Sequence, residues 1–559
     1  MMFKAIINDR SYCYTAIKDI TTDRPTEEIK IKMRENKLFN FDLFTVNPFI
    51  IKHSYIRFSK LPAILILDKT YGRKNNKLLY KCIPDDRRIP IFLVPYNLKL
   101  KFNKNNVNKF VVMKFIDWDQ EHPTGQVEQV LGDVDSLEAF YEYQLYSNSL
   151  FASIQKLNRE TMAKIKKKAH RQHIIDIKQQ YKMEDRTDHN VITIDPIGSK
   201  DFDDGVSIRV TGNETIISIY IANVAVWLDY LKLWKSFSDR VATIYFPNRK
   251  KPMLPLILSD MLCSLQEGVE RFAVVCDLHI DGEFNIVKTK YSNVFVNVNK
   301  NYTYESDELK RSETYQLLLT SIKKLNSKKK YIASIKDSHD AVAYLMIVMN
   351  YYVAQSFKNK KVGIFRGVNI VDTKERDKID DEQLKKFITF WNSTGGKYVR
   401  YESITSHDFL ELDAYVHVTS PIRRLVDLLN QITVTTLENN TYYSKDAIEF
   451  YNTWITKEKI DYINICMKAI RKVQNNCQII TKLVTNPELL DKTYDGLLFD
   501  KIERREKFYQ YMVYFPEIKM VSKFMSENNI DNYSIRKFKC FLFNEEHTLK
   551  KKIKITFAF

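Results

Sequence analysis

Ile194-Asp195-Pro196-Ile197-Gly198-Ser199-Lys200-Asp201-Phe202-Asp203-Asp204-Gly205 carries four aspartates in ten residues, between the apolar runs Val191–Ile194 and Val206–Val210. Those runs predict strands, which presents the acidic loop between them at a sheet edge. Four carboxylates packed together repel one another unless a cation neutralises them, and an all-oxygen donor set favours Mg²⁺ over zinc or copper. Two other acidic-loop chemistries fail on spacing. Counted from Asp201, an EF-hand needs a ligand at its fifth position, where Gly205 sits, and a Glu at its twelfth, where Gly212 sits. A haloacid-dehalogenase-type phosphatase needs an aspartate two residues after Asp195, where Ile197 sits. A solvated acidic turn is the plain alternative.

Working outward, the β-rich block runs from Val191 to about Val298 and includes Ile216–Ile221. Helical windows dominate from about Ser306 to Thr436, as in Asp340–Phe357, where apolar residues recur at three- and four-residue spacing. Together they predict a mixed α+β core. Upstream, short β-type runs at Phe3–Ile7, Pro48–Ile51, Ala63–Leu67, Lys77–Ile83, Ile91–Val94 and Phe110–Phe115 predict one or two small OB-like barrels. Between Ser136 and about Lys182 the pattern is helical, with a basic face at Lys164, Lys166, Lys167, Lys168 and Arg171 that reads either as a solvated face or as a nucleic-acid contact. Downstream come helices including Ile460–Val484. A final β-rich segment follows, with runs at Tyr509–Tyr514, Phe538–Phe543 and Ile553–Phe557 and a basic end at Lys550, Lys551, Lys552 and Lys554.

The chain of 559 residues is long enough for about three or four domains. Its formal charge of +18 points to a polyanionic partner, with nucleic acid the leading candidate and a Lys- and Asn-rich coding bias the bland one. No stretch reaches the ~18 uninterrupted apolar residues of a membrane span, and Met1–Arg10 lacks the pattern of a secretory signal. A soluble, intracellular protein, most simply cytoplasmic, is expected. The seven cysteines form no C-x₂-C pair, so reduced and mostly buried thiols are expected.

The spacing Asp-x₅-Asp-x-Asp-Asp after a Thr-Ile strand resembles the signature of the ribonuclease II/ribonuclease R (RNB) catalytic domain. A distant segment, Tyr415-Val416-His417-Val418-Thr419-Ser420-Pro421-Ile422-Arg423-Arg424, resembles the same family's Tyr-x-His-x-Thr-Ser-Pro-Ile-Arg-Arg. Between them, in family order, lie Tyr245-Phe246-Pro247, Pro252-Met253-Leu254-Pro255, Leu258-Ser259 and Leu262-Cys263-Ser264-Leu265. Asp85-Asp86-Arg87-Arg88-Ile89-Pro90, Trp118-x₄-Pro123-x-Gly125 and Leu131-Gly132-Asp133 look like the cold-shock OB module that precedes the catalytic domain in the exosome's catalytic subunit. Similarity covers about residues 60–559 and is strongest over 186–430.

The resemblance implies a multidomain chain. Residues 1–59 are a β-rich region and a candidate first OB unit, 60–150 a cold-shock-like OB domain and 151–185 a helical basic connector. The α+β RNB catalytic domain with its closing helices spans 186–490, and a divergent C-terminal OB-like barrel 491–559. The exosome subunit's extra endonuclease domain is not expected, for want of room at the N-terminus, so the expected activity is exonucleolytic only. The implied activity is a Mg²⁺-dependent 3′-to-5′ exoribonuclease, with Mn²⁺ as a substitute, hydrolysing single-stranded RNA to nucleoside 5′-monophosphates by a two-metal mechanism. Asp195, Asp201, Asp203 and Asp204 form the implied metal set, with Asp203 orienting or activating the attacking water and Arg423 on the scissile phosphate. Tyr245, Tyr304, Phe365, Ser420 and Arg424 would contact RNA. A monomer is expected, with association into a larger RNA-decay complex also open.

Several positions depart from the family pattern. Asn223 stands for a usual Asp in Tyr220-Ile221-Ala222-Asn223-Val224, where the usual first residue is His. Leu425 replaces a usual Tyr and Gln431-Ile432 a usual His-Arg, while Gln474 aligns loosely with a frequent Glu. The rival is an inert RNA-binding or scaffolding protein that kept the fold; retention of all four aspartates argues against it. A deoxyribonuclease is the third possibility.

Overall fold

The computed structural model describes the chain except residues 27–30, 99–106, 213, 370–378, 380, 440, 505–507, 546–549 and 559. It divides into two compact units, one made of Met1–Phe151 with Arg471–Phe559, the other of Ala152–Ile470.

In the first unit, Phe3–Ile7, Thr15–Asp19, Leu43–Thr45 and Ile50–His53 form a four-stranded sheet. Among the described residues no pairing closes it, so the candidate first OB unit is an open sheet. Next, Leu61–Leu65, Lys77–Pro84, Phe92–Tyr96, Lys109–Asp117 and Thr124–Asp133 close into a ring, because Leu61–Leu65 pairs with both Lys109–Asp117 and Lys77–Pro84. This is the OB/cold-shock-like barrel, filled by Ala63, Leu65, Tyr80, Cys82, Phe92, Val94, Val111 and Met113. The five C-terminal strands, from Thr493–Glu503 to Lys551–Phe557, form a barrel-like sheet around Tyr494, Leu498, Tyr511, Val513 and Phe538. Strand Thr124–Asp133 has no apolar run to announce it: TGQVEQVLGD buries only Gly125.

The second unit opens with the helices Gln155–Ile165 and His170–Gln180. Five strands then make a closed ring. Val191–Asp195, Asp204–Thr211, Glu214–Ala222, Glu270–Ile280 and Ile286–Thr303 each pair with the next, and the last pairs back, in parallel, with the first. The near-continuous β-branched runs VITID and ETIISIYIA suit strands buried on both faces. The core joins the ring's Ile192, Ile194, Ile208, Ile217, Ile219 and Leu278 to Ala341, Leu345, Val348 and Met349 of the helix Ser338–Lys360. A buried ion pair ties the segment ahead of the ring to the strand Glu270–Ile280: both Arg186 Nη atoms donate to Asp277 at 2.7 and 2.8 Å, and Ser218 Oγ adds a third donor at 2.6 Å. With its charges matched and hydrogen-bonded, the pair avoids the penalty of an unpaired buried ion.

The acidic loop lies at one end of this ring and joins two neighbouring strands, which corrects the expectation of a sheet edge. Among the described residues no helix is long and apolar enough to cross a membrane. All seven cysteines are free, and six are buried.

Candidate active site

Strand register fixes the first aspartate. Asp195 closes its strand opposite Thr303, and Tyr304 N donates to Asp195 O at 3.2 Å, so Tyr304 is set beside the loop by the ring itself. The chain then turns through Gly198 at φ +81°, a conformation that costs a residue with a Cβ. Phe202 N donates to Ser264 Oγ (2.9 Å) and Ser264 Oγ to Lys200 O (2.8 Å), which holds the loop against the Leu262–Leu265 segment.

Asp203 points inward and is 3% exposed. Its Oδ1 accepts from Ile422 N at 2.9 Å and its Oδ2 from Arg423 Nε at 3.0 Å, across 219 and 220 residues of sequence. The arginine segment is held in turn: Thr243 N donates to Arg423 O (3.0 Å) and Leu425 N to Val241 O (2.9 Å). Arg423 Nη2 donates to Ser420 Oγ at 2.9 Å. Just beyond, Asp427 is fully buried and accepts from Ser420 N and Arg424 Nη2, both at 2.8 Å.

Burial pushes the carboxyls of Asp195, Asp203 and Asp204 up to about 7. Mutual repulsion adds to the rise, Asp203 acting on Asp195, Asp204 on Asp203 and Asp195 on Asp204, while Arg423 pulls all three down. Burial draws Arg423 down, but Asp203 and the neighbouring groups hold it well above its ordinary value.

Asp201 faces elsewhere. Its Oδ1 accepts from Lys250 Nζ at 2.7 Å, and the same ammonium lies 3.4 Å from Asp260 Oδ1. Lys250 belongs to a short hairpin, Ile244–Tyr245 with Lys250–Lys251, in which Tyr245 and Lys250 are directly opposite. The sequence holds a signal for this pairing, the Pro247-Asn248 turn between the two short arms, but none for the contact to Asp201.

The expected metal set is thus only partly assembled. Among the described residues no three His, Cys, Asp or Glu side chains converge closely enough to hold an ion, since Asp201 turns to Lys250 and Asp203 to Arg423. The donor chemistry nonetheless fits a hard divalent cation. Asp195 Oδ2 is buried without a hydrogen-bond partner, and the repulsion between Asp195 and Asp204 is of the kind a cation relieves.

The remaining expected contacts separate. Tyr245 is 37% exposed near the acids, and Tyr304 stacks on His339 with ring centroids 3.8 Å apart, a partner that sequence reading missed. Ser420 and Arg424 spend hydrogen bonds on Arg423 and Asp427. Phe365 is 0% exposed and packs in the core with Val416 and Val418, which leaves its ring no face for a base. Asn223 and Gln431 share one joint: Asn223 Oδ1 caps the helix Val224–Tyr230 at Val226 N (3.3 Å), and Gln431 Oε1 accepts from Val224 N and Ala225 N (3.1 and 3.2 Å) while its Nε2 donates to Ala222 O (2.8 Å). Two neutral amides here satisfy the helix start. Leu425, fully buried, begins the helix Leu425–Asn439.

Residues 183–316 match the family model for the RNB domain, and residues 79–149 that for the Dis3-like cold-shock domain 2. Ribonuclease R of Mycoplasmopsis pulmonis is 34% identical over 133 residues, covering 24% of this chain and 18% of that protein. Ribonuclease R of Thermotoga maritima is 22% identical over 534 residues, covering 77% and 72%. Among solved structures, Mycoplasma genitalium RNase R in complex with ribose-methylated single-stranded RNA matches with a TM-score of 0.67 at 16% identity, over 100% of both chains. Yeast Ssd1, described as a pseudonuclease, matches with a TM-score of 0.56 at 13% identity, over 94% of this chain and 78% of that one. Residues 183–316 are thus similar to an RNB domain, and the stretch ahead of them in sequence, residues 79–149, to a Dis3-like cold-shock domain.

Proposed function

We propose that this protein is a 3′-to-5′ exoribonuclease that shortens single-stranded RNA by divalent-metal-assisted hydrolysis and releases nucleoside 5′-monophosphates. The observation that carries the reading is the 3.0 Å contact between Arg423 Nε and Asp203 Oδ2, beside two further carboxyls that burial raises to about 7. The RNase R relatives and the RNA-bound structural neighbour support the choice of substrate.

Asp195 and Asp204 are the side chains that would hold Mg²⁺, with Mn²⁺ as a substitute, and Asp201 would complete a second site only by leaving Lys250. A bound divalent cation supplies charge neutralisation at the phosphate and a more acidic water. Asp203, already taking one N–H on each oxygen, keeps lone pairs to orient that water. Arg423 uses Nε on Asp203 and one Nη2 hydrogen on Ser420; of a guanidinium's five N–H donors the rest are left for a phosphate. Tyr245 and the half-buried ring of Tyr304 would offer stacking surfaces to the terminal bases, a grip that does not depend on sequence.

An inert RNA-binding protein is the second reading, favoured by the Lys250 contact on Asp201 and the unclosed ligand set. Incubation of 5′-labelled single-stranded RNA with the protein and Mg²⁺ separates the two. Stepwise shortening with nucleoside 5′-monophosphates supports the nuclease, and binding without shortening supports the inert protein. Equal cleavage of DNA would replace RNA specificity with general nuclease action.

A thermal measurement tests the metal independently. Asp195, Asp203 and Asp204 titrate near 7 when folded against an ordinary 3.8. Between those values the folded chain keeps protons that the unfolded chain has released, so stability falls as pH rises through the window. A cation that binds only the charged, folded site reverses the loss. Saturating Mg²⁺ is therefore expected to raise the Tm by roughly 5–10 °C at pH 8 and by far less at pH 5. Equal shifts at both pH values, read by scanning fluorimetry, would contradict this assignment.

A further inference from the structure

Lys250 is an unusual neighbour for an acidic loop expected to collect cations. Its Nζ lies 2.7 Å from Asp201 Oδ1 and 3.4 Å from Asp260 Oδ1, and the three side chains are 22%, 13% and 16% exposed. The contact is built from both sides. Lys250 is placed opposite Tyr245 by the hairpin pairing, the turn is closed by Phe246 N donating to Arg249 O (2.8 Å), and Met253 N donates to Thr243 Oγ1 (3.0 Å). The hairpin is fastened to the arginine segment through Thr243 N and Arg423 O. On the acidic side, Ser259 Oγ donates to Asp260 Oδ1 at 2.6 Å, and the loop bearing Asp201 is held to Ser264. No lysine pairs with Asp195, Asp203 or Asp204 among the described residues.

We propose that Lys250 is the resident counter-cation of Asp201: a positioning residue that fixes the acidic loop and limits this protein to one tight divalent-ion site, at the remaining carboxylates. The proposal rests on the reading that the loop recruits divalent ions. An ammonium within hydrogen-bond range of Asp201 already neutralises that carboxylate, and it repels any ion that would share it, because two positive charges a few ångströms apart in a half-buried site interact strongly. Asp260 strengthens the effect by giving the ammonium a second anchor. Lys250 thus stands where a second metal would draw its ligand, and it places a fixed positive charge beside Tyr245 and the acids.

The test counts ions without using catalysis. Mn²⁺ is titrated into the RNA-free protein, with free Mn²⁺ followed by electron paramagnetic resonance and heats by calorimetry. Wild type is expected to bind one tight Mn²⁺. Lys250→Met should bind two, the affinity for the second rising by at least about tenfold. Lys250→Arg, which restores the charge, should return the count to one, an outcome that a merely structural role for Lys250 does not predict. Two equally tight ions in the wild type overturn the proposal whatever the variants do, as does an unchanged count and affinity in folded Lys250→Met. Absence of Mn²⁺ binding in every form overturns the metal reading along with it. Loss of RNA shortening with the expected ion counts overturns only the proposed activity.

Discussion

Asp203→Asn is expected to lower kcat for RNA shortening by on the order of 10²–10⁴-fold while changing RNA affinity little. Both carboxylate oxygens accept an N–H, one from Ile422 and one from Arg423. An amide offers one acceptor and one donor, so its NH₂ must face either the Ile422 N–H or the Arg423 Nε–H, and one contact becomes a repulsion. The side chain also loses the charge that holds Arg423 well above its ordinary pKa. The substitution therefore removes the carboxylate proposed to orient water and unfastens the guanidinium in one step. Because Asp203 is 3% exposed and raised by burial, replacing it with a neutral group relieves a desolvation penalty, and the ion-free variant should melt no lower than wild type at pH 8. Single-turnover rates, filter-binding affinities and melting curves read these three quantities separately. Turnover within threefold of wild type would falsify the role given to Asp203.

Arg423→Ala should cost about 10²–10³-fold in kcat, the usual loss when one preorganised donor to a developing oxyanion is removed. Arg423→Lys is the sharper variant. An ammonium restores the charge, but it cannot donate to Asp203 and Ser420 in the planar geometry that Nε and Nη2 now use while also presenting a fork to a phosphate. Lysine should recover only part of the loss, with kcat affected more than KM. If Arg423→Lys matches wild type, the guanidinium acts as a point charge alone, and the geometric argument fails.

Much of the ring was readable because strands buried on both faces are written as unbroken β-branched runs: Val191–Ile194 and Ile216–Ile221 fall inside observed strands. Thr124–Asp133 was not, since it buries only a glycine and carries no apolar alternation. At the site, the aspartates and Arg423 were legible through a spacing that resembles a family, but which oxygen meets which nitrogen is a tertiary fact 220 residues wide. Lys250 gave no signal in a chain with 87 lysines and arginines. Phe365 shows the opposite failure: an aromatic in a suggestive segment is committed to the core, where burial of a ring is the ordinary outcome. The departures at Asn223 and Gln431, which read from sequence only as replacements of a usual Asp and a usual His, meet around one helix start and satisfy it with neutral hydrogen bonds.

The bond from Arg423 to Asp203 also sets an order of events during synthesis. A nascent chain emerging from the ribosome exposes its aspartates long before the segment Ile422–Arg423 has been translated. Until that segment docks, the acids face water without a guanidinium beside them. A half-made copy therefore lacks the contact that joins the two segments, and the proposed site is complete only once translation has passed residue 423 and that segment has docked.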